Sequence, residues 1–253
     1  MAHIISIVNQ KGGVGKTTTA VNLAAGLGIL GKRTLLIDID PQGNSTSGYG
    51  ISKRDTKLNS YHLLTNAAKI DSVIIKTEFS NVDVIPSGMD LAGAEIEMID
   101  LDNREAVLKM AVANVYNDYD YILLDCPPSL SLITLNALVA SDRVLVPIQC
   151  EYYALEGLSQ LMSTVRLVKQ KYNPELELEG VLLTMFDGRL NLTQQVVGEV
   201  KRFFPRKVFS TVIPRTVRLS EAPSFGQPIQ YYDKGNKGAI AYNTLAEEIV
   251  NKN

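Results

Sequence analysis

Residues 10–18 carry the densest chemistry in the chain: Gln10-Lys11-Gly12-Gly13-Val14-Gly15-Lys16-Thr17-Thr18. They follow an apolar β-branched run, Ile4-Ile5-Ser6-Ile7-Val8, and precede a small-residue helical stretch from Ala20 to Leu27. A strand, a glycine loop and a helix in that order predict a phosphate-binding loop. Glycines let backbone N–H groups turn inward around an anion, and the helix N-terminus adds its dipole. In such a loop the Lys16 ammonium reaches the β- and γ-phosphates and the Thr17 hydroxyl ligates Mg²⁺. The usual pattern begins with glycine, whereas position 10 here is Gln, and a second lysine, Lys11, stands at the loop entrance.

Carboxylates that complement this loop close two further apolar runs. In Arg33 to Asp40 the alternation of a strand sends Leu36, Asp38 and Asp40 one way and Leu35, Ile37 and Ile39 the other. Both acids then fall at a carboxyl end, where open α/β sheets bind ligands. Asp before Pro41-Gln42-Gly43 is also good turn chemistry, so Asp40 has a structural alternative as a turn cap. Tyr121-Ile122-Leu123-Leu124-Asp125 ends in an acid suited to the Mg²⁺ shell, and Pro127 and Pro128 stop that strand.

Positioning these groups requires a sheet. Short apolar runs alternate with helical patterns along all 253 residues, which predicts βαβ units, a parallel sheet and one domain over 1–253. Further strands are expected at Val82 to Ile85, Arg143 to Ile148 and Glu179 to Asp187. Helical spacing is expected over Leu91 to Asp100, Arg104 to Tyr116, Tyr153 to Tyr172, Leu192 to Phe204 and Ala239 to Asn253. The stripe Leu155, Leu158, Leu161, Met162, Val165 and Val168 reads as core or dimer packing. Residues 50–80 carry a short helix near Tyr61 and no assignable chemistry.

Composition excludes several classes. Two histidines far apart, His3 and His62, argue against a zinc site or a histidine triad. Two cysteines in apolar surroundings, Cys126 and Cys150, read as buried thiols of a reduced, cytosolic protein. With strand character by residue 3 and no basic leader, no signal peptide is expected, and no apolar run is long enough to span a membrane. The net charge is −2 and the pI about 5.8. Residues 186–220 depart from that average. Arg189, Lys201, Arg202, Arg206, Lys207, Arg215 and Arg218 outnumber Asp187 and Glu199, a net +5 that leaves −7 on the remainder. A basic segment on an acidic chain is the footprint of sequence-independent DNA binding, against the alternative of an ordinary solvated helix.

The string K-G-G-x-G-K-T-T at 11–18 resembles the deviant Walker A motif of the ParA/MinD family of ATPases. The D-x-D-P-Q-G-N string at 38–44, D-C-P-P-S at 125–129 and S-x-A-P-x-x-G-x-P-I at 220–229 resemble that family in the same order. The resemblance implies a P-loop NTPase fold, a twisted, mostly parallel sheet with helices on both faces, and ATP and Mg²⁺ as cofactors. It implies that Asp40 positions the attacking water, that Asp38 helps Thr17 and Asp125 organise the metal shell, and that the base lies near Asp187 and Pro214. The absence of an N-K-x-D string favours adenine. Lys11 would cross a dimer interface into a second copy's site, and Gly12 and Gly13 would leave room for the facing backbone. The family further implies an ATP-dependent homodimer on nucleoid DNA, gripped through Arg189 and Arg218 with Lys201, Arg202, Arg206 and Lys207, and a ParB-type partner that stimulates hydrolysis in the service of segregation. A MinD-like membrane-positioning ATPase is the alternative, disfavoured by the acidic last helix; a nitrogenase-reductase-like electron carrier is disfavoured by the cysteine spacing.

Overall fold

The computed structural model describes residues 1–151 and 154–252. Strand β1 (His3–Ile7) leads through the glycine loop into α1 (Lys16–Ile29), β2 (Thr34–Asp38) and the short α2 (Asn44–Gly48). Next come α3 (Ser60–Leu64), β3 (Ile75–Lys76), β4 (Val82–Ile85), α4 (Leu91–Glu97) and α5 (Val107–Val112). The centre of the chain supplies β5 (Tyr121–Asp125), α6 (Leu132–Ala140), β6 (Arg143–Gln149) and α7 (Ala154–Lys171). The remainder forms β7 (Glu177–Phe186), α8 (Asn191–Phe203), β8 (Val208–Pro214), α9 (Val217–Glu221), α10 (Ile229–Tyr232) and α11 (Lys237–Lys252).

The eight strands form one sheet in the order β3-β4-β2-β5-β1-β6-β7-β8, parallel except for the edge strand β3. Alternating side chains divide the core between its faces. Leu35, Ile37, Ile122, Leu124, Val144 and Val146 pack under α5, α6 and α7. Leu36, Ile5, Ile7, Leu123 and Leu145 pack under α1 and α11, with Leu23, Leu27, Tyr242, Leu245 and Ile249. Burying both faces is what allows parallel strands to read as continuous apolar runs.

The expected elements stand with shifted ends. The helix expected over 104–116 is confined to α5: the Asn136 side chain accepts the Leu108 N–H and donates to the Arg104 carbonyl, so the chain before Val107 is held as a loop. The acidic helix beginning at Leu91 passes into a 3₁₀ turn at Met98–Asp100. The unassigned region 50–80 contains β3 and a second 3₁₀ turn, and His62 there caps α3 with Asn59. Strand β8 was not expected from sequence; its burial alternates, and no long apolar run announces it. The expected start of α7 at Tyr153 and end of α11 at Asn253 lie outside the described residues.

Candidate active site

Parallel pairing brings the predicted groups together at the carboxyl edge of the sheet. β1 sits between β5 and β6, and Asp38 and Asp125 occupy paired positions on β2 and β5, with Ile7 paired to Asp125 on the other side. The loop leaving β1 therefore opens directly beside two carboxylates supplied by other strands. Asn9 anchors its entrance: the side-chain oxygen accepts the Lys11 N–H at 2.9 Å and the side-chain amide donates to the Pro147 carbonyl at 2.7 Å. Thr184 of β7 anchors its middle, donating to the Val14 and Ile148 carbonyls. Neither Asn9 nor Thr184 belongs to the motif, and each acts on a residue that only tertiary pairing makes a neighbour.

Gly13 and Gly15 lie at φ +74° and +89°, a region that side-chain-bearing residues enter at a cost. Gly15 is the N-cap of α1, which has no side-chain cap and no acid in its first turn. Its end therefore presents N–H groups and an unopposed dipole toward an anion. Lys16 is buried and its Nζ donates to the Lys11 carbonyl at 3.2 Å. Burial lowers its ammonium below the ordinary lysine value, opposed by Asp125, Cys126 and Asp40. Thr17 and Thr18 follow on the same turn, half-buried.

Asp38 is fully buried, accepting the Thr46 hydroxyl at 2.7 Å and the Thr46 N–H at 2.8 Å. Asp125 accepts the Ser45 hydroxyl at 2.7 Å. Burial pushes both carboxyls up, and their mutual repulsion adds to this at Asp125. Oδ1 of Asp125 is buried without a hydrogen-bond partner. An orphaned carboxylate oxygen, a neighbouring acid and the Thr17 hydroxyl are a donor set of hard oxygens, which fits Mg²⁺ held by few protein ligands and completed by phosphate and water. Asp40 does make the turn contact, accepting the Gln42 N–H at 2.9 Å through one oxygen. It is 7% exposed, and its other oxygen has no hydrogen bond among the described residues. The turn role and a role toward water are therefore compatible. Ser45 and Thr46, which bond Asp125 and Asp38, were passed over in the sequence reading; their only signal is their position just after the Asp-Pro-Gln-Gly string.

The Lys11 side chain is engaged outside the glycine loop. It is 42% exposed and its ammonium pairs with Glu151, 140 positions later. Gly12 and Gly13 have no heavy atom within 4 Å of a built Cβ, so the loop's outer face is open. Behind the loop lies a cavity of about 230 Å³, bounded by Gly15, Thr18, Met185, Pro214, Leu219 and Tyr242, among others. Met185 at φ +49° turns the end of β7 into it. The base expectation at Pro214 falls in this cavity; Asp187 instead lines the adjoining cleft. A larger cleft of about 830 Å³ lies between α6 and α7 but is lined by no residue of the loop. Burial pushes both thiols up, Cys150 to about 11.

The six expected DNA contacts fall in two places. Arg189 follows β7 at the carboxyl edge and Arg218 lies on α9 after β8. Lys201 and Arg202 end α8, and Arg206 and Lys207 precede β8, at the opposite edge of the sheet; the Lys207 ammonium donates to the Leu178 carbonyl at the start of β7. The 13 residues of α8 separate the groups by about 20 Å.

Fold and site together define an α/β P-loop nucleotide hydrolase. Residues 2–178 match the protein family described as "AAA domain". The chain is 58% identical over 250 residues to the sporulation initiation inhibitor protein Soj of Bacillus subtilis, covering 99% of both. It is 53% identical to the chromosome partitioning protein ParA of Myxococcus xanthus, over 100% of this chain and 89% of that protein. Among solved structures it is similar to cobyrinic acid a,c-diamide synthase of Mycobacterium smegmatis with bound ADP and magnesium (TM-score 0.86, 35% identity, 98% and 93% covered). The cell division ATPase MinD of Pyrococcus furiosus superposes with a TM-score of 0.83 at 28% identity, with 100% of each chain covered. The chain belongs to the ParA/Soj-type partitioning ATPases and is an ATP hydrolase.

Proposed function

We propose that this chain is an ATP-dependent dimerising switch that binds nucleoid DNA without sequence preference and hydrolyses ATP when a ParB-type partner stimulates it, in the cytoplasm and in the service of chromosome or plasmid segregation. The observation that carries the reading is the exposed Lys11 paired with Glu151. A lysine at a phosphate loop that contacts Glu151 rather than its own loop's phosphate site, beside two glycines with open space before them, suits a contact made to a second copy.

The loop amides and Lys16 bind and orient the phosphates, and Thr17, Asp38 and Asp125 hold Mg²⁺, which neutralises charge on the phosphoryl oxygens. Asp40 orients the attacking water from the switch turn. Lys11 leaves Glu151 for the second copy's phosphates, exchanging one anion for another, and acts as a finger there. Loss of the γ-phosphate removes what both lysines grip, and the dimer releases.

Retention on mixed-sequence duplex DNA, compared with ATP and with ADP, tests the reading. ATP-dependent, salt-sensitive retention is expected; retention indifferent to the nucleotide would refute it. ATP-dependent liposome binding would favour the membrane-positioning alternative. Against that alternative, α11 places Ala239, Tyr242, Leu245, Ala246 and Ile249 inside the core.

A further inference from the structure

We infer that Ser45 and Thr46 are positioning residues for Mg²⁺: two adjacent hydroxyls that fix the orientation of Asp125 and Asp38 and tie both acids to the turn that carries Asp40. The inference rests on the assignment of the metal to Thr17, Asp38 and Asp125 above, and adds to it the groups that aim the acids. Ser45 and Thr46 stand side by side on α2 and are completely buried. One reaches the acid that ends β5 and the other the acid that ends β2.

Ser45 Oγ donates to Oδ2 of Asp125 at 2.7 Å, and Oδ1 is the oxygen left without a hydrogen-bond partner. The last torsion of an aspartate is broad and two-fold, so a free carboxylate interchanges its oxygens. A hydroxyl held on one of them decides which is left over. Thr46 closes around Asp38. Its Oγ1 and its backbone N–H both donate to Oδ2, at 2.7 and 2.8 Å, while the Asp40 N–H donates to Oδ1 at 3.2 Å. Asp38 therefore grips both ends of the turn from Asp40 to Thr46. The Thr46 hydroxyl gives its one proton to Asp38 and accepts the Ser87 N–H at 2.8 Å. Ser87 follows β4, so α2 joins the ends of β5, β2 and β4, three neighbours in the sheet. The Gly43 N–H donates to the Asp40 carbonyl at 2.8 Å and closes the turn from inside.

Mg²⁺ demands near-ideal octahedral geometry at short distances, so a carboxylate that swings loses it. Groups that hydrogen-bond a metal's ligands fix their orientation, and removing one typically costs about 10- to 100-fold in metal affinity. A hydroxyl that only satisfied a buried carboxylate would add to stability and leave metal affinity alone. Ser47 supplies the control on the same helix, because its hydroxyl turns back to the Gly43 carbonyl at 3.2 Å and reaches neither acid.

The experiment uses the full-length protein with ADP, so that no hydrolysis intervenes. Mn²⁺ replaces Mg²⁺ as the probe, and its affinity is read by electron paramagnetic resonance. ADP affinity in EDTA and the melting temperature are recorded beside it. Wild type is compared with Ser45→Ala, Thr46→Val, Thr46→Ser and Ser47→Ala. Ser45→Ala and Thr46→Val are each expected to weaken Mn²⁺ binding about tenfold while ADP affinity in EDTA stays as in wild type. Thr46→Ser keeps the hydroxyl and Ser47→Ala removes an uninvolved one, so both should bind Mn²⁺ as wild type does. In an Asp125→Asn background Ser45→Ala should add no further loss, since the hydroxyl acts through that acid. Thr46→Val also strips the Ser87 N–H of its acceptor; should it unfold, Ser45→Ala, which deletes a single oxygen, carries the test. A folded Ser45→Ala protein with wild-type Mn²⁺ affinity would overturn the proposal, and a lowered melting temperature beside it would mark the hydroxyl as structural. An equal loss of ADP affinity in EDTA would also overturn it, as general damage to the site. Failure of the wild type to bind Mn²⁺ with ADP would instead overturn the metal assignment on which the proposal rests.

Discussion

At the scale of single residues, the proposed mechanism gives Lys16, Asp40 and Lys11 separate roles that substitution can tell apart. Lys16→Ala removes the buried cation at the head of α1, and nucleotide binding by fluorescence titration is expected to vanish. Asp40→Ala leaves the loop and the Asp38–Asp125 pair intact, so ATP affinity should stay while single-turnover hydrolysis falls by at least about 10²-fold. Normal hydrolysis in that variant would remove Asp40 from water positioning and leave it a turn residue only. Lys11→Ala touches none of the groups that surround the chain's own phosphates. It is expected to leave ATP binding within a few-fold of wild type and to abolish most stimulated hydrolysis, up to the about 10³-fold typical of a finger contact.

At the scale of elements, two contacts hold the frame around the site. Glu248 of α11 accepts the Ser210 and Thr211 N–H groups at 2.9 and 3.0 Å and pairs with Lys252 at 3.1 Å, tying the last helix to the edge strand β8. Burial alone would raise its carboxyl, yet these bonds outweigh burial and bring it down to about 2. A depressed folded-state value stabilises the fold above the unfolded value near 4.5, and that contribution is lost as pH falls toward 2. Glu248→Ala is expected to cost on the order of 2 kcal/mol at neutral pH by urea unfolding, and the gap from wild type should close between pH 4.5 and 2. Gly28 of α1 is the second contact, since a Cβ there would lie 2.1 Å from the Ser80 carbonyl oxygen. Gly28→Ala should therefore destabilise by about 2 kcal/mol despite alanine's better helix propensity, lowering Tm by roughly 5 °C in a scanning measurement.

At the scale of the whole molecule, the open face around Gly12 is where the proposed pairing of two copies is tested. Gly12→Val fills space that is empty in the single chain, so its Tm should change little. In the Asp40→Ala background with ATP, light scattering is expected to find twice the chain mass of 27.7 kDa without that change and the single-chain mass with it. The basic segment is also a matter of this scale. Its charge is read directly from residues 186–220, but α8 runs the depth of the sheet and distributes that charge to opposite edges.

What the sequence alone determined is the chemistry that depends on neighbours in the chain. The glycine loop between strand and helix, the acids that close Thr34–Asp38 and Tyr121–Asp125, and the alternation that sends Leu36 and Ile37 to opposite faces all follow from local spacing. The ParA/MinD resemblance rested on the same strings, and the comparisons bear it out. Tertiary structure decided everything that depends on which strand lies beside which. Pairing of β2 with β5 set Asp38 against Asp125 across 87 positions and brought two separate acids side by side at the carboxyl edge. The short β3 and the alternating β8 carry too little apolar signal to be seen without the strands they pair with. Seating of β6 beside β1 gave Lys11 its Glu151 and the loop its Asn9–Pro147 anchor. The fold of β7, α8 and β8 parted one run of basic residues into two surfaces. Local periodicity carries no information about such pairings, because they are settled by the joint burial of both faces of the sheet.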